Sequence, residues 1–114
     1  QPIFAYENYE DYYTFPAGEF TGEDLFMLRV QGTSMIDAGI FNGDKIVVRR
    51  QQSADDGEIV VALVEDSATV KRLYRRNGKI VLHPENEALD DMIFEPGEVS
   101  ILGKVVGLTR NYKA

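Results

Sequence analysis

The chain has 114 residues, 44% of them hydrophobic and 27% charged, which is the size and composition of one folded domain with a sizeable core. It contains no cysteine, which excludes disulfides and thiolate metal sites, and it has no apolar run long enough to cross a bilayer. The formal net charge of −7 argues against a domain that grips a nucleic-acid phosphate backbone by itself.

The first 24 residues are polar and aromatic, with tyrosines interleaved among glutamates and aspartates. Acidic neighbours disfavour a platform for stacking nucleic-acid bases, so we predict an arm that is either packed or exposed. Residues 25–30 form a short apolar run of the length typical of a buried strand. Residues 34–40 predict one helical turn, ended by Gly39.

Turn signals and short apolar runs alternate over the rest of the chain. Asn77-Gly78 is the dipeptide of a tight hairpin, and a loop is predicted over residues 84–97. Two glycines inside the last run, Gly103 and Gly107, predict a bulge or a bend. The further strands are predicted at residues 45–50, 58–65, 68–76, 79–83 and 98–109. Six or seven short strands with little helix predict an all-β fold, a barrel or a folded sandwich.

The chain offers a serine and a lysine for nucleophilic chemistry, Ser34 and Lys71. His83 is the only histidine and there is no cysteine, so a Ser/Lys dyad is the hydrolytic pair that stays available. A lysine accepts a proton only when neutral, and burial lowers its usual pKa of about 10.4 by up to about 3–5 units. If Lys71 shares a strand face with Leu73, it points toward the apolar side of the sheet. In the alternative interpretation, Lys71 faces solvent with its charge intact, as strand lysines usually do.

The residues around Ser34 suit a site for a tetrahedral intermediate. Gly32 permits a bound peptide to approach the backbone closely. The backbone N–H groups of Thr33, Ser34 and Met35 are candidate donors to the oxyanion that forms during peptide cleavage.

Other polar residues have structural interpretations, and no metal site is predicted. Asp37 and Asp44 are isolated from each other and fit turn or capping roles. His83 is interpreted as a structural or surface histidine. Two further groups are assigned no chemistry: Glu85 and Asn86, which shape the loop after the hairpin, and Arg72, Arg75 and Arg76, which form a solvated strand end.

Four segments, in the same order along the chain, resemble the LexA-type Ser/Lys self-cleaving repressors. The segment that contains Ser34 resembles the family's nucleophile region, and the segment that contains Lys71 resembles its general-base hairpin. The resemblance covers nearly the whole chain. The four segments are residues 28–44, residues 57–62 with 68–73, residues 82–86 and residues 101–107.

The resemblance implies an all-β catalytic domain of the LexA/signal-peptidase type, without a cofactor. Ser34 would be the nucleophile and Lys71 the general base. The family cuts an Ala-Gly bond in its own linker when a RecA–single-stranded DNA filament favours the cleavable conformation. No such pair occurs in the first residues, and Ala17-Gly18 lies too far along the chain. We therefore expect the cleavage site upstream of Gln1, together with a DNA-binding domain that would contact operator DNA.

Residues 1–24 would then be the arm after the cleavage site, and residues 25–114 the catalytic and dimerisation domain. The last strand, Val99–Thr109, is apolar, and we expect it to be an edge strand that a homodimer covers. The cytoplasm is the default location. Three alternatives stay open: a UmuD-like accessory subunit of an error-prone polymerase, a non-cleaving dimerisation module of a phage-type repressor, and a signal peptidase, which the lack of a membrane anchor disfavours.

Overall fold

The computed structural model describes residues 24–112, so the predicted arm lies outside the described residues apart from Asp24. Within this range the chain forms seven strands and two short 3₁₀ turns, which confirms the all-β prediction. None of the described helical segments is long and apolar enough to cross a membrane. The strands are β1 Leu25–Arg29, β2 Lys45–Arg50, β3 Ile59–Val64, β4 Ser67–Arg76, β5 Lys79–His83, β6 Met92–Phe94 and β7 Val99–Thr109, and the turns are Ile36–Ala38 and Pro96–Glu98.

The strands form one antiparallel sheet in the order β1-β2-β7-β3-β4-β5-β6. The hairpin between β4 and β5 is as predicted, because Asn77 and Gly78 both have positive φ, 53° and 77°. A two-residue type I′ turn requires positive φ at both central residues, and its twist matches that of the flanking strands. The predicted strand boundaries agree with the structure to within one or two residues.

The predicted loop 84–97 contains structure that the sequence pattern did not indicate. Strand β6 lies inside it and pairs with β5, with Val81 opposite Ile93. The turn Pro96–Glu98 follows, with Glu95 and Glu98 forming a reciprocal capping box. A strand of three residues is too short to show alternation, which is why this part of the prediction was incomplete.

Strand β7 is not the edge strand that its apolar sequence suggested. It lies between β2 and β3, and pairs with β2 along its second half and with β3 along its first. Both strands that β7 pairs with are distant from it in sequence, and a local pattern does not encode such pairing. Among the described residues, positions 105–109 pair on the β2 side alone, so the other side of this half-strand stays open.

Two bulges bend β7, as the glycines inside it predicted. Its register shifts between Val61 and Ala62 of β3, and again between Val47 and Val48 of β2. Gly103 lies at the crossing, where an added Cβ would be 2.4 Å from the carbonyl oxygen of Arg49. Since real Cβ atoms do not approach backbone this closely, β2 and β7 can meet here because the residue is glycine.

The buried side chains form two clusters. The first packs under the loop that follows β1, and it includes Met35 and Ile40 from that loop. The second lies toward β4 and β5. The first cluster is Phe26, Leu28, Val30, Met35, Ile40, Ile46, Val48 and Val61, and the second is Ala54, Val60, Ala62, Leu73 and Leu82.

Candidate active site

Ser34 lies in the loop between β1 and the turn Ile36–Ala38, which we call the serine loop (residues 31–35). Met35, 1% exposed, fixes the end of this loop in the first core cluster. Gly32 has φ +92° and donates its N–H to Oδ1 of Asn42 at 2.8 Å. As predicted, Gly39 ends the helical turn, in the left-handed conformation with φ 79°. The loop is thus held at both ends.

Lys71 lies on β4, and its amine reaches Ser34. Nζ is 3.1 Å from Ser34 Oγ, and it donates a hydrogen bond to Thr69 Oγ1 at 2.6 Å. The side chain is 8% exposed, and Leu73, two residues further along the strand, is fully buried. The alternative in which the lysine faces solvent is therefore wrong. No carboxylate of residues 24–112 forms an ion pair with Lys71.

Burial lowers the pKa of Lys71 below its ordinary value of 10.5, because desolvation penalises the ammonium form. Among residues 24–112, no carboxylate opposes this shift. A buried lysine of this kind reaches the neutral state at a lower pH than a surface lysine, and the neutral amine can accept a proton. The catalytic roles of Ser34 and Lys71 stay predictions at this point.

A small cleft of about 140 Å³ lies over the two side chains, between the end of β1 and the first half of β4. In the described part of the chain, residues 67–71 of β4 pair with β3 on one side, whereas β5 begins its pairing at Arg72. The backbone beside Lys71 is therefore an open strand edge that an extended peptide could join. The cleft is lined by Leu28, Arg29, Val30, Gln31, Ser34, Met35, Ala68, Thr69, Val70 and Lys71.

The backbone N–H groups of Thr33, Ser34 and Met35 have no hydrogen-bond acceptor among the described residues. Free donors next to a candidate nucleophile are what an oxyanion site requires. Whether they serve as one stays a prediction.

Glu85 and Asn86 were assigned to shaping a loop, and the structure places them against the serine loop. We call residues 84–88 the strap. Asn86 Nδ2 donates to the carbonyl oxygen of Thr33 at 2.9 Å, and Asp37 N donates to the carbonyl oxygen of Glu85 at 2.8 Å. These contacts were not predicted from the sequence, because more than 45 residues separate the partners and no local pattern links them.

Arg72 corrects the prediction of a solvated strand end. It is half-buried, and its Nε donates to Glu85 Oε2 at 2.8 Å. The register of the hairpin sets Arg72 opposite His83, two residues before Glu85. Arg75 and Arg76 are about half exposed and both interact with Asp56, in agreement with the prediction.

Asp44 is 2% exposed and accepts the N–H of Phe41 at 2.6 Å, which is the turn role predicted for it. Its partner was not predicted from the sequence: Arg110 Nε and Nη2 each donate to the Asp44 carboxylate at 2.7 Å. The hydrogen bond from Arg110 is the main reason why the pKa of Asp44 lies below its usual value. Arg110 also donates to the Gly39 carbonyl oxygen, so it joins the end of β7 to the turn after the serine loop.

His83 Nδ1 lies 2.6 Å from Asp91 Oδ1, and the ring meets Tyr74 edge-on. This is a structural environment, away from the Ser34 hydroxyl. No group of three or more potential metal ligands lies together within residues 24–112.

The family model for Peptidase S24-like proteins matches residues 1–106. The chain is similar to a LexA repressor of Pelotomaculum thermopropionicum, 56% identical over 110 residues, covering 96% of this chain and 53% of that protein. A LexA repressor of Caldicellulosiruptor saccharolyticus is 53% identical over 110 residues, covering 96% of this chain and 54% of that protein. One of Bacillus mycoides is 53% identical over 112 residues, with coverages of 96% and 54%.

The chain spans about half the length of these curated relatives. The predicted resemblance is confirmed by both comparisons, and the all-β sheet agrees with it. The chain belongs to the Peptidase S24-like family, as a domain of the LexA repressor type.

Proposed function

We propose that this domain cleaves its own longer chain, with Ser34 as nucleophile and Lys71 as general base. The observation that carries the proposal is the amine of Lys71 at 3.1 Å from the Ser34 hydroxyl, on a residue that is 8% exposed and has no carboxylate partner among the described residues. A surface lysine would stay protonated at neutral pH, whereas burial gives this amine access to its neutral form.

The proposed reaction begins when the neutral Lys71 amine takes the proton of the Ser34 hydroxyl. Ser34 Oγ bonds to the carbonyl carbon of the scissile peptide, and the carbonyl electron pair moves to oxygen, next to the free N–H groups of the serine loop. Collapse of this intermediate breaks the C–N bond, and the Lys71 ammonium gives its proton to the leaving amine. Water then hydrolyses the ester, again with Lys71 as base.

The substrate would be an extended peptide lying along the open edge of β4 beside Lys71. The cleft between β1 and β4 leads to the Ser34 hydroxyl, and its walls are both apolar and polar. A strand added to an exposed sheet edge gains backbone hydrogen bonds that are independent of its side chains, so side-chain pockets would set the specificity.

For the whole protein, we propose a cytoplasmic LexA-like repressor of the DNA-damage response. Its other half would bind operator DNA, and a RecA–single-stranded DNA filament would stimulate cleavage. Support comes from the LexA repressors that match this chain and are about twice its length. The charge of −7 agrees with DNA contacts made outside this chain.

The test is self-cleavage of the full-length protein that contains this chain, followed by intact mass at neutral and alkaline pH, with and without a RecA filament. We expect one cut upstream of Gln1, accelerated by the filament. An unchanged mass under all of these conditions would contradict self-cleavage and leave a folded module that associates without cutting.

We further propose a homodimer through the open side of residues 105–109 of β7, where Leu108 is 36% exposed. A second copy could extend the sheet there and cover apolar side chains. Sedimentation at tens of micromolar should give a dimer that Leu108→Glu converts to monomer. Ile93→Glu on the edge strand β6, at a residue that is 64% exposed, is the matched control and should stay dimeric. A strict monomer before mutation would overturn the proposal.

A further inference from the structure

We propose that Asn86 is a positioning residue that orients the Thr33–Ser34 peptide and thereby aims the Ser34 N–H at the developing oxyanion. This inference rests on the proposed function, because it assigns the N–H a partner that exists only during peptide cleavage. The residue lies on the strap, and it hydrogen-bonds to the serine loop but not to the Ser34 or Lys71 side chain.

The peptide unit that joins Thr33 to Ser34 is rigid. Asn86 Nδ2 donates to the carbonyl oxygen of Thr33 at 2.9 Å. That oxygen and the Ser34 N–H belong to one planar trans unit, so holding the oxygen sets the direction of the N–H. On the other side of Thr33, Asn42 Oδ1 accepts the N–H of Gly32 at 2.8 Å. The serine loop is therefore held between two asparagine side chains.

The Asn86 amide is itself held in one orientation. Its Oδ1 accepts the N–H of Ala88 at 2.9 Å, and its own carbonyl oxygen accepts the N–H of Leu89 at 3.0 Å. An asparagine that bonds to the backbone two residues on forms an Asx turn. With Oδ1 occupied by the strap, Nδ2 is left to face the serine loop.

The strap is also bonded to β4, the strand that carries Lys71. Arg72, the next residue of β4, donates to the Glu85 carboxylate at 2.8 Å and to the Gly57 carbonyl oxygen at 2.5 Å. Glu85 in turn accepts the Asp37 N–H on its carbonyl oxygen. The strap therefore contacts both the serine loop and β4, the strand that carries Lys71. A segment bonded to both of them fixes the distance between them.

Two variants separate donation to Thr33 from turn formation. Asn86→Asp keeps an oxygen for the Ala88 N–H and replaces the donor with a carboxylate, whereas Asn86→Ala removes both interactions. Glu87→Gln, at an exposed neighbour on the strap, is the control. Self-cleavage of the full-length protein should slow by at least about tenfold in both Asn86 variants, the range expected when a catalytic group is slightly misplaced, and be unchanged in the control.

The pH profile distinguishes positioning from a general opening of the site. In Asn86→Ala, which introduces no charge near the amine, we expect the rate plateau to fall while the pH midpoint stays in place, because the midpoint reports the burial of Lys71, to which Asn86 does not hydrogen-bond. A midpoint that moves toward 10.5 in this variant would mean that water has entered the cleft, and the positioning role would be overturned. Wild-type cleavage by Asn86→Asp would overturn it too, since a turn former alone then suffices.

A measurement independent of proteolysis keeps the two proposals distinguishable. In Asn86→Asp, the carbonyl carbon of Thr33 and the amide nitrogen of Ser34 should change chemical shift, and the order parameter of the Ser34 N–H should fall. Unchanged signals would refute the positioning of Ser34 even if the protein cleaves itself. If the unmutated protein does not cleave, the proposed function fails, and with it the catalytic part of this inference.

Discussion

Ser34→Ala and Lys71→Met should each abolish self-cleavage of the full-length protein while leaving the domain folded. Each removes one member of a pair that acts as a unit, and the loss of a nucleophile or its base lowers hydrolytic rates on the order of 10⁴-fold or more. Intact mass after prolonged incubation at alkaline pH measures the residual rate. Lys79→Met, at a lysine that pairs with Glu95 on the exposed surface of β5, is the control and should cleave normally.

The two variants have different expected effects on stability. Ser34→Ala removes one hydrogen-bond partner and should change the free energy of unfolding by no more than about 1 kcal/mol. Lys71→Met keeps most of the side-chain volume and removes an amine that is costly to bury in its charged form, so it should be neutral or stabilising at neutral pH. If thermal melts show that Lys71→Met is unfolded, the lysine has a structural role. If Lys71→Met is folded and still cleaves itself, Lys71 is excluded as the base.

Most strands could be predicted because their signals are local. β2 and β5 have the predicted ends, and the hairpin at Asn77-Gly78 follows from two residues that tolerate positive φ. Likewise Gly103 predicted an irregular strand, which the close approach of Arg49 explains. These features depend on neighbours in sequence, which a single chain shows directly.

The missing parts depend on partners that are distant in sequence. The ion pair of Asp44 with Arg110 joins residues 66 apart, and the contact of Asn86 with Thr33 spans 53. The position of β7 in the middle of the sheet is likewise a property of the topology. The approach of Ser34 to Lys71 was expected from the family resemblance; the residues alone also allowed a lysine in solvent.

The rate of self-cleavage should rise about tenfold per pH unit and level off at the folded-state pKa of Lys71, because only the neutral amine accepts the Ser34 proton. Burial places this pKa below 10.5. The rate is measured by intact mass from neutral to alkaline pH, with Lys79→Met as a control that should keep the same midpoint. A flat profile over this range would exclude Lys71 as the base.

The folded-state pKa of Lys71 should also determine how the free energy of unfolding of the domain changes with pH. This change can be measured independently of cleavage. Between the lowered folded-state pKa and the unfolded value near 10.5, the unfolded chain binds more protons, so stability rises with pH by up to about 1.4 kcal/mol per unit. Below this pH window Lys71 is protonated in both states, so the folded protein bears the full cost of burying an ammonium group. Lys71→Met should therefore be more stable than the wild type at these pH values. Its advantage should shrink as pH rises through the window.

Groups other than Lys71 are common to both proteins, so their contributions to the pH dependence cancel in the stability difference between wild type and Lys71→Met. The pH at which that difference begins to fall should therefore coincide with the midpoint of the cleavage profile. Agreement would assign the kinetic midpoint to the Lys71 amine, because one ionisation would then control two unrelated measurements. A kinetic midpoint well away from the onset of the stability change would mean that a conformational step, rather than deprotonation of Lys71, sets the rate.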